Sequence, residues 1–116
     1  MSHLLEMAAL QLTMDAIRAV AKKLNLPIQE NQHSVYGGVA VTGLSVKLPG
    51  WYKPVTYTET EKDGVKASYD NYHSMWGEIS EMEMFHAQVM AEMDGYDPLA
   101  MTSTRHGLET VFELEI

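Results

Sequence analysis

His3, His33, His73, His86 and His106 are the side chains best suited to bind a metal or move a proton near neutral pH. No pair of them shows His-x-His or His-x-x-x-His spacing, and none lies beside a Glu in a zinc-binding pattern, so the sequence predicts no metal site. The chain has no cysteine, which excludes thiolate ligands, disulfides and thiol nucleophiles. Asp70 and His73 are close enough to act as a base and its orienting partner, with His86 as a third member of a hydrolase site, but no nucleophile accompanies them. Tyr36-Gly37-Gly38 and Gly43 lack both the Gly-Lys-Ser/Thr of a phosphate loop and the Gly-x-Gly-x-x-Gly of a dinucleotide loop. These glycines read as a bulge or tight bend beside a strand. No catalytic set and no cofactor motif emerges.

Two softer patterns concern binding. Trp51, Tyr52, Tyr57, Tyr69, Tyr72 and Trp76 crowd into one third of the chain. Hairpin faces use such residues for cross-strand packing. The functional alternative is a stacking platform for a nucleotide-like ligand, built from Tyr52, Tyr72, His73 and Trp76. The chain also has nine methionines, most of them on helix faces as core filler. Met84, with Ala87 and Ala91, points away from the apolar stripe of its helix, as an adaptable protein interface would.

The elements that must position these residues follow from periodicity and capping. Thr13 caps a helix whose apolar stripe is Met14, Ile17, Val20, Ala21 and Leu24, and Asn25 and Pro27 stop it. Residues 3–12 fit either an extension of that helix or a short buried strand, because brief apolar runs cannot be assigned by period. Val39–Leu48 reads as a strand stopped by Pro49-Gly50. Tyr52–Glu59 and Val65–Asp70 read as a hairpin around Glu61-Lys62-Asp63-Gly64. A second helix covers Ser80 to Asp94, with Ile79, Met82, His86, Val89 and Met93 on its inward face and Gly95 at its end. His86 on that stripe predicts a neutral imidazole with one ring nitrogen held by a hydroxyl or backbone group. Leu99–Arg105 and Leu108–Ile116 form a last hairpin, with Glu109, Glu113 and Glu115 on its outer face. The fold class is α+β: a single domain, residues 1–116, with a mainly antiparallel sheet and two helices in the order β-α-β-β-β-α-β-β.

Sixteen acidic residues against eight basic ones give a net charge of −8, which disfavours binding to phosphate backbones. The start, Met1-Ser2-His3, lacks the pattern of a secretory signal, and no apolar run approaches the roughly 20 residues that span a bilayer. These features predict a soluble cytoplasmic protein without nucleic-acid or membrane partners.

Several short motifs together resemble a known family. Met1-Ser2-His3 precedes an apolar segment and a helix ending Lys23-Leu24-Asn25-Leu26. Tyr36-Gly37-Gly38, Val46-Lys47-Leu48-Pro49-Gly50, Asp63-Gly64 and Trp76-Gly77 follow in order. The chain resembles the uncharacterised plastid and cyanobacterial proteins called hypothetical chloroplast reading frame 35, or domain of unknown function 1257. That resemblance implies that Leu4–Leu12 is a strand. The family's Tyr-Ala-x-His pattern appears here only as Phe85-His86-Ala87, in a different order and with one residue fewer before Gly95. The family is also more basic than this chain, so the resemblance is to a divergent member, such as one carried by a virus of bacteria. Since that family has no established activity, the resemblance implies a fold and not a function. The function expected from the residues is that of a small non-enzymatic binding or adaptor protein, self-associating at least as a dimer or meeting a protein partner. The alternative is a sequestering protein for a small nucleotide-like ligand, of use in viral counter-defence.

Overall fold

The computed structural model describes residues 4–9, 11–62, 64–70, 79–106 and 109–114. Thr13 caps helix α1 (Met14–Lys23), its hydroxyl accepting from the Ala16 N–H at 3.2 Å. Ile17, Val20 and Ala21 are its buried stripe. The helix ends in a Schellman turn. Asn25 takes a left-handed φ of 58°, Leu26 N–H reaches the Ala21 carbonyl at 2.8 Å, and Asn25 N–H reaches Lys22 at 3.1 Å.

Strands β1 (Leu4–Ala8), β2 (Ile28–Tyr36), β3 (Val39–Val46), β4 (Val55–Thr60) and β5 (Gly64–Asp70) form one antiparallel sheet in the order β1-β5-β4-β3-β2. Residues 4–8 are therefore a strand, set against β5 with Met7 opposite Ala67. Strand β2 is one strand more than the sequence pattern reveals. Its run Ile-Gln-Glu-Asn-Gln-His-Ser-Val-Tyr is mostly polar because it lies at the sheet edge, where few of its side chains meet the core. Helix α2 (Ile79–Met93), a 3-10 turn (Pro98–Ala100) and the hairpin of β6 (Met101–His106) with β7 (Glu109–Leu114) complete the fold. The 3-10 turn and this hairpin both pack on α2. The order of helices and antiparallel strands is otherwise as the sequence predicts.

The five-stranded sheet buries both faces, by different chemistry. One face carries Leu44, Val46, Val55, Tyr57, Val65 and Ala67 against Ile17 and Val20 of α1 and Met82, Phe85 and Val89 of α2. The other carries Ser45, Thr56, Ser68 and Asp70, all buried. The β2–β3 hairpin folds back over this polar face. Tyr36 pairs with Val39, seven residues along β3 from the Val46–Val55 pair, which is roughly 23 Å of extended strand. Yet the Tyr36 hydroxyl lies 2.7 Å from both the Pro54 carbonyl oxygen and Thr56 Oγ1. Both strands bend at one level: β2 has a register shift between Gln29 and Gln32 with Asn31 at φ 51°, and Gln32 pairs with Gly43. Lys53 then closes the tip, donating to the Val35 carbonyl at 3.0 Å with its Nζ 3.6 Å from the Asp70 carboxylate.

At Gly43 β3 approaches β4 so closely that a Cβ would stand 2.4 Å from the Tyr57 carbonyl oxygen. Gly43→Ala should therefore destabilise the fold by roughly 3 kcal/mol, because the obstacle is backbone. Gly38→Ala meets nothing within 4 Å and has only its φ of 86° to strain, so it should cost about 1–2 kcal/mol. Urea unfolding of the two variants checks the ranking, and an equal loss would remove the role assigned to Gly43.

Candidate functional site

The histidine and carboxylate candidates do not converge. Asp70 lies on the polar face of the sheet. His86 sits over the apolar face, against the side chain of Tyr57, which pairs with Ala67. The sheet separates the two, because successive side chains alternate between its faces. His73 and His3 lie outside the described residues, and His33 is exposed with its Nδ1 2.6 Å from Thr42 Oγ1. Among the described residues no group of three His, Asp or Glu could hold a metal ion, and no helix is long and apolar enough to cross a membrane.

His86 is half-buried, with Nε2 2.7 Å from the Tyr57 hydroxyl and its ring packed edgewise on Tyr57. Burial lowers its pKa to about 4, so the ring is neutral at pH 7, and burial holds the Tyr57 hydroxyl well above its usual range. The inward face of α2 is centred one residue away from the predicted stripe. Met82, Phe85 and Val89 are buried, whereas Met93 is 42% exposed. Phe85 takes the central place because its ring meets Tyr57, at 6.2 Å between centroids.

The three interface candidates part company. Met84 and Ala87 are half-buried, but Ala91 is only 3% exposed. The face of α2 that looks spare in the sequence is partly used, since the 3-10 turn and the β6–β7 hairpin pack on this helix. Met84 instead lines a groove of about 190 Å³ with Leu24, Leu26, Leu48, Pro49 and Phe85, and with Glu81 and Gln88. Each wall has a local cause. The Schellman turn places Leu24 and Leu26, and the Lys47 N–H donates to the Pro27 carbonyl at 3.0 Å, which fixes Leu48 and Pro49 beside that turn. On α2, positions 81, 84, 85 and 88 share one face by their i, i+3, i+4, i+7 spacing. Lys23 Nζ lies 2.8 and 2.7 Å from the two Glu92 carboxylate oxygens, pinning the end of α1 to α2. That spacing on α2 was readable in the sequence. The facing walls were not, because they come from two chain-stopping turns whose proximity is tertiary.

Of the proposed nucleotide site, Tyr52 is 82% exposed, and Tyr72, His73 and Trp76 lie outside the described residues. A second depression of about 320 Å³ is bordered by Lys23, Glu92, Gly95, Tyr96 and Asp97, but its Lys and Glu are already paired.

The buried imidazole makes stability depend on pH. The folded pKa of about 4 lies below the unfolded value of 6.5, so between them the unfolded chain binds more protons. This contribution is complete above pH 6.5 and is lost as pH falls towards 4, by up to roughly 3 kcal/mol. His86→Gln keeps a hydrogen-bonding group beside Tyr57 and should flatten that part of the profile. Urea unfolding of both proteins at pH 7 and near pH 4 measures the difference, and parallel profiles would show that His86 does not titrate in this way.

No family model, no curated protein and no solved structure matches the chain.

Proposed function

We propose that this protein is a small non-enzymatic binding protein that acts by seating an apolar side chain of another polypeptide in the groove between α1, α2 and the Leu48-Pro49 turn. The groove itself carries the reading: it is apolar on most sides, open, and built by elements pinned to one another. Its volume of about 190 Å³ falls below the roughly 300 Å³ at which sites for drug-sized ligands begin. One or two side chains fill such a space, and a whole nucleotide does not. The half-buried Met84 suits this role, because an unbranched thioether adapts to the shape it meets.

A second reading rests on Tyr52, whose exposure leaves a large ring free to stack on a planar ligand. In that reading a rise in melting temperature with added nucleotide is lost in Tyr52→Ala.

The groove reading is tested with peptides selected from a random displayed library. They should bind the wild-type protein and lose at least about tenfold in affinity against Met84→Glu, because the new carboxylate would be desolvated under the incoming side chain. The variant should stay folded, within about 1 kcal/mol of wild type, since a half-buried glutamate can turn to solvent. Self-association is read in parallel by sedimentation. A dimer that dissociates in Met84→Glu makes a second copy the occupant. Peptide binding indifferent to Met84→Glu removes the groove as the site.

A further inference from the structure

One groove residue is not explained by its apolar neighbours. Gln88 lines the groove and is 9% exposed, and its side chain makes no hydrogen bond among the described residues. A polar group so placed is free to pair with an incoming group without breaking an internal bond. Its amide atoms are not sealed off from solvent. A carboxamide both donates and accepts, which matches the two halves of a peptide group. Two turns of α2 before it, on the same face, the exposed Glu81 borders the groove without an ion pair among the described residues.

We infer that the groove takes a short peptide segment of a foreign protein in which a large apolar residue stands beside Lys or Arg. The apolar side chain enters between Leu26, Met84 and Phe85, the segment's main chain pairs with the Gln88 amide, and the cation meets Glu81. This deepens the reading of the groove as a partner site and rests on it. Charge selects the occupant. A second copy carries the same net charge of −8, and a nucleotide, a fatty acid or an acidic peptide meets Glu81 with like charge.

Selection of a random phage-displayed peptide library on the immobilised wild-type protein, with counter-selection on Met84→Glu, tests the inference. Enriched sequences should share Leu, Met or Phe within a few residues of Lys or Arg. A synthetic representative should bind Glu81→Lys about tenfold more weakly at low salt, with a smaller difference at high salt. It should bind Gln88→Met about fivefold more weakly, while the free variant melts no lower than wild type, because Gln88 has no internal bond to lose. Peptides that depend on Met84 but show no basic bias, or that bind Glu81→Lys and Gln88→Met like wild type, overturn the inference and leave the groove reading intact. A groove filled by a second copy in sedimentation likewise overturns the inference alone, and no Met84-dependent enrichment overturns both.

Discussion

Strand β4 is the middle of the five-stranded sheet, and the close contact of its backbone with Gly43 decides what each face becomes. From the same stretch of β4, the Tyr57 side chain reaches His86 on one side while its carbonyl oxygen accepts the approach of β3. Only a residue without a Cβ allows that approach, and only that approach lets the β2–β3 hairpin turn back across the sheet. The hairpin brings Tyr36 onto Thr56 and Pro54, and with it a cover for the polar face of Ser45, Thr56, Ser68 and Asp70 that would otherwise face water. The helices are then left to the apolar face, and the groove forms where their ends meet the loop that leaves β3.

The two buried faces are held by different forces. The apolar face gains from area removed from water and is insensitive to small shifts in angle. The polar face gains little per hydrogen bond and loses much for each one left unmade, so it specifies where the hairpin lies more than it stabilises the chain. His86 and Tyr57 import one element of that polar logic into the apolar side. Their bond satisfies a hydroxyl at the centre of the core, and burial excludes an ionised imidazole there.

Much of this was legible in the residues. Thr13, the 3.6-residue stripe of α1, the alternation of β4 and β5 and the Pro49-Gly50 turn each express their structure locally, and the structure follows them. Residues 3–12 are open between strand and helix on local grounds; the register with β5 resolves residues 4–8 as strand, which ends at Ala8, short of the expected Leu12. Strand β2 was missed because an edge strand has little apolar alternation to show. The inward face of α2 was misplaced by one residue because Met and His obscure the contrast on which periodicity depends, and the ring contact of Phe85 with Tyr57 outweighed it. Ala91 was read as spare for a related reason: nothing in a helix sequence says that a distant hairpin will return to cover a second side. The groove was only half visible, through Met84.

The placement of the groove also bears on how tightly it can bind. Its walls come from a Schellman turn, a proline turn and one face of a helix, joined by a main-chain hydrogen bond and an ion pair, so little of the protein must be ordered when a partner arrives. That saving matters in a site this small, because a single apolar anchor contributes only a few kcal/mol at best. Preorganisation of the walls, an amide without an internal partner and a carboxylate at the rim thus act on the same deficit from three directions. In the free protein the Gln88 side chain is mostly buried, but its amide has no partner among the described residues and stays open to solvent. On binding it exchanges water for the incoming main chain without breaking an internal bond. In the proposed binding mode, selectivity therefore resides more in the two polar residues than in the apolar surface that surrounds them.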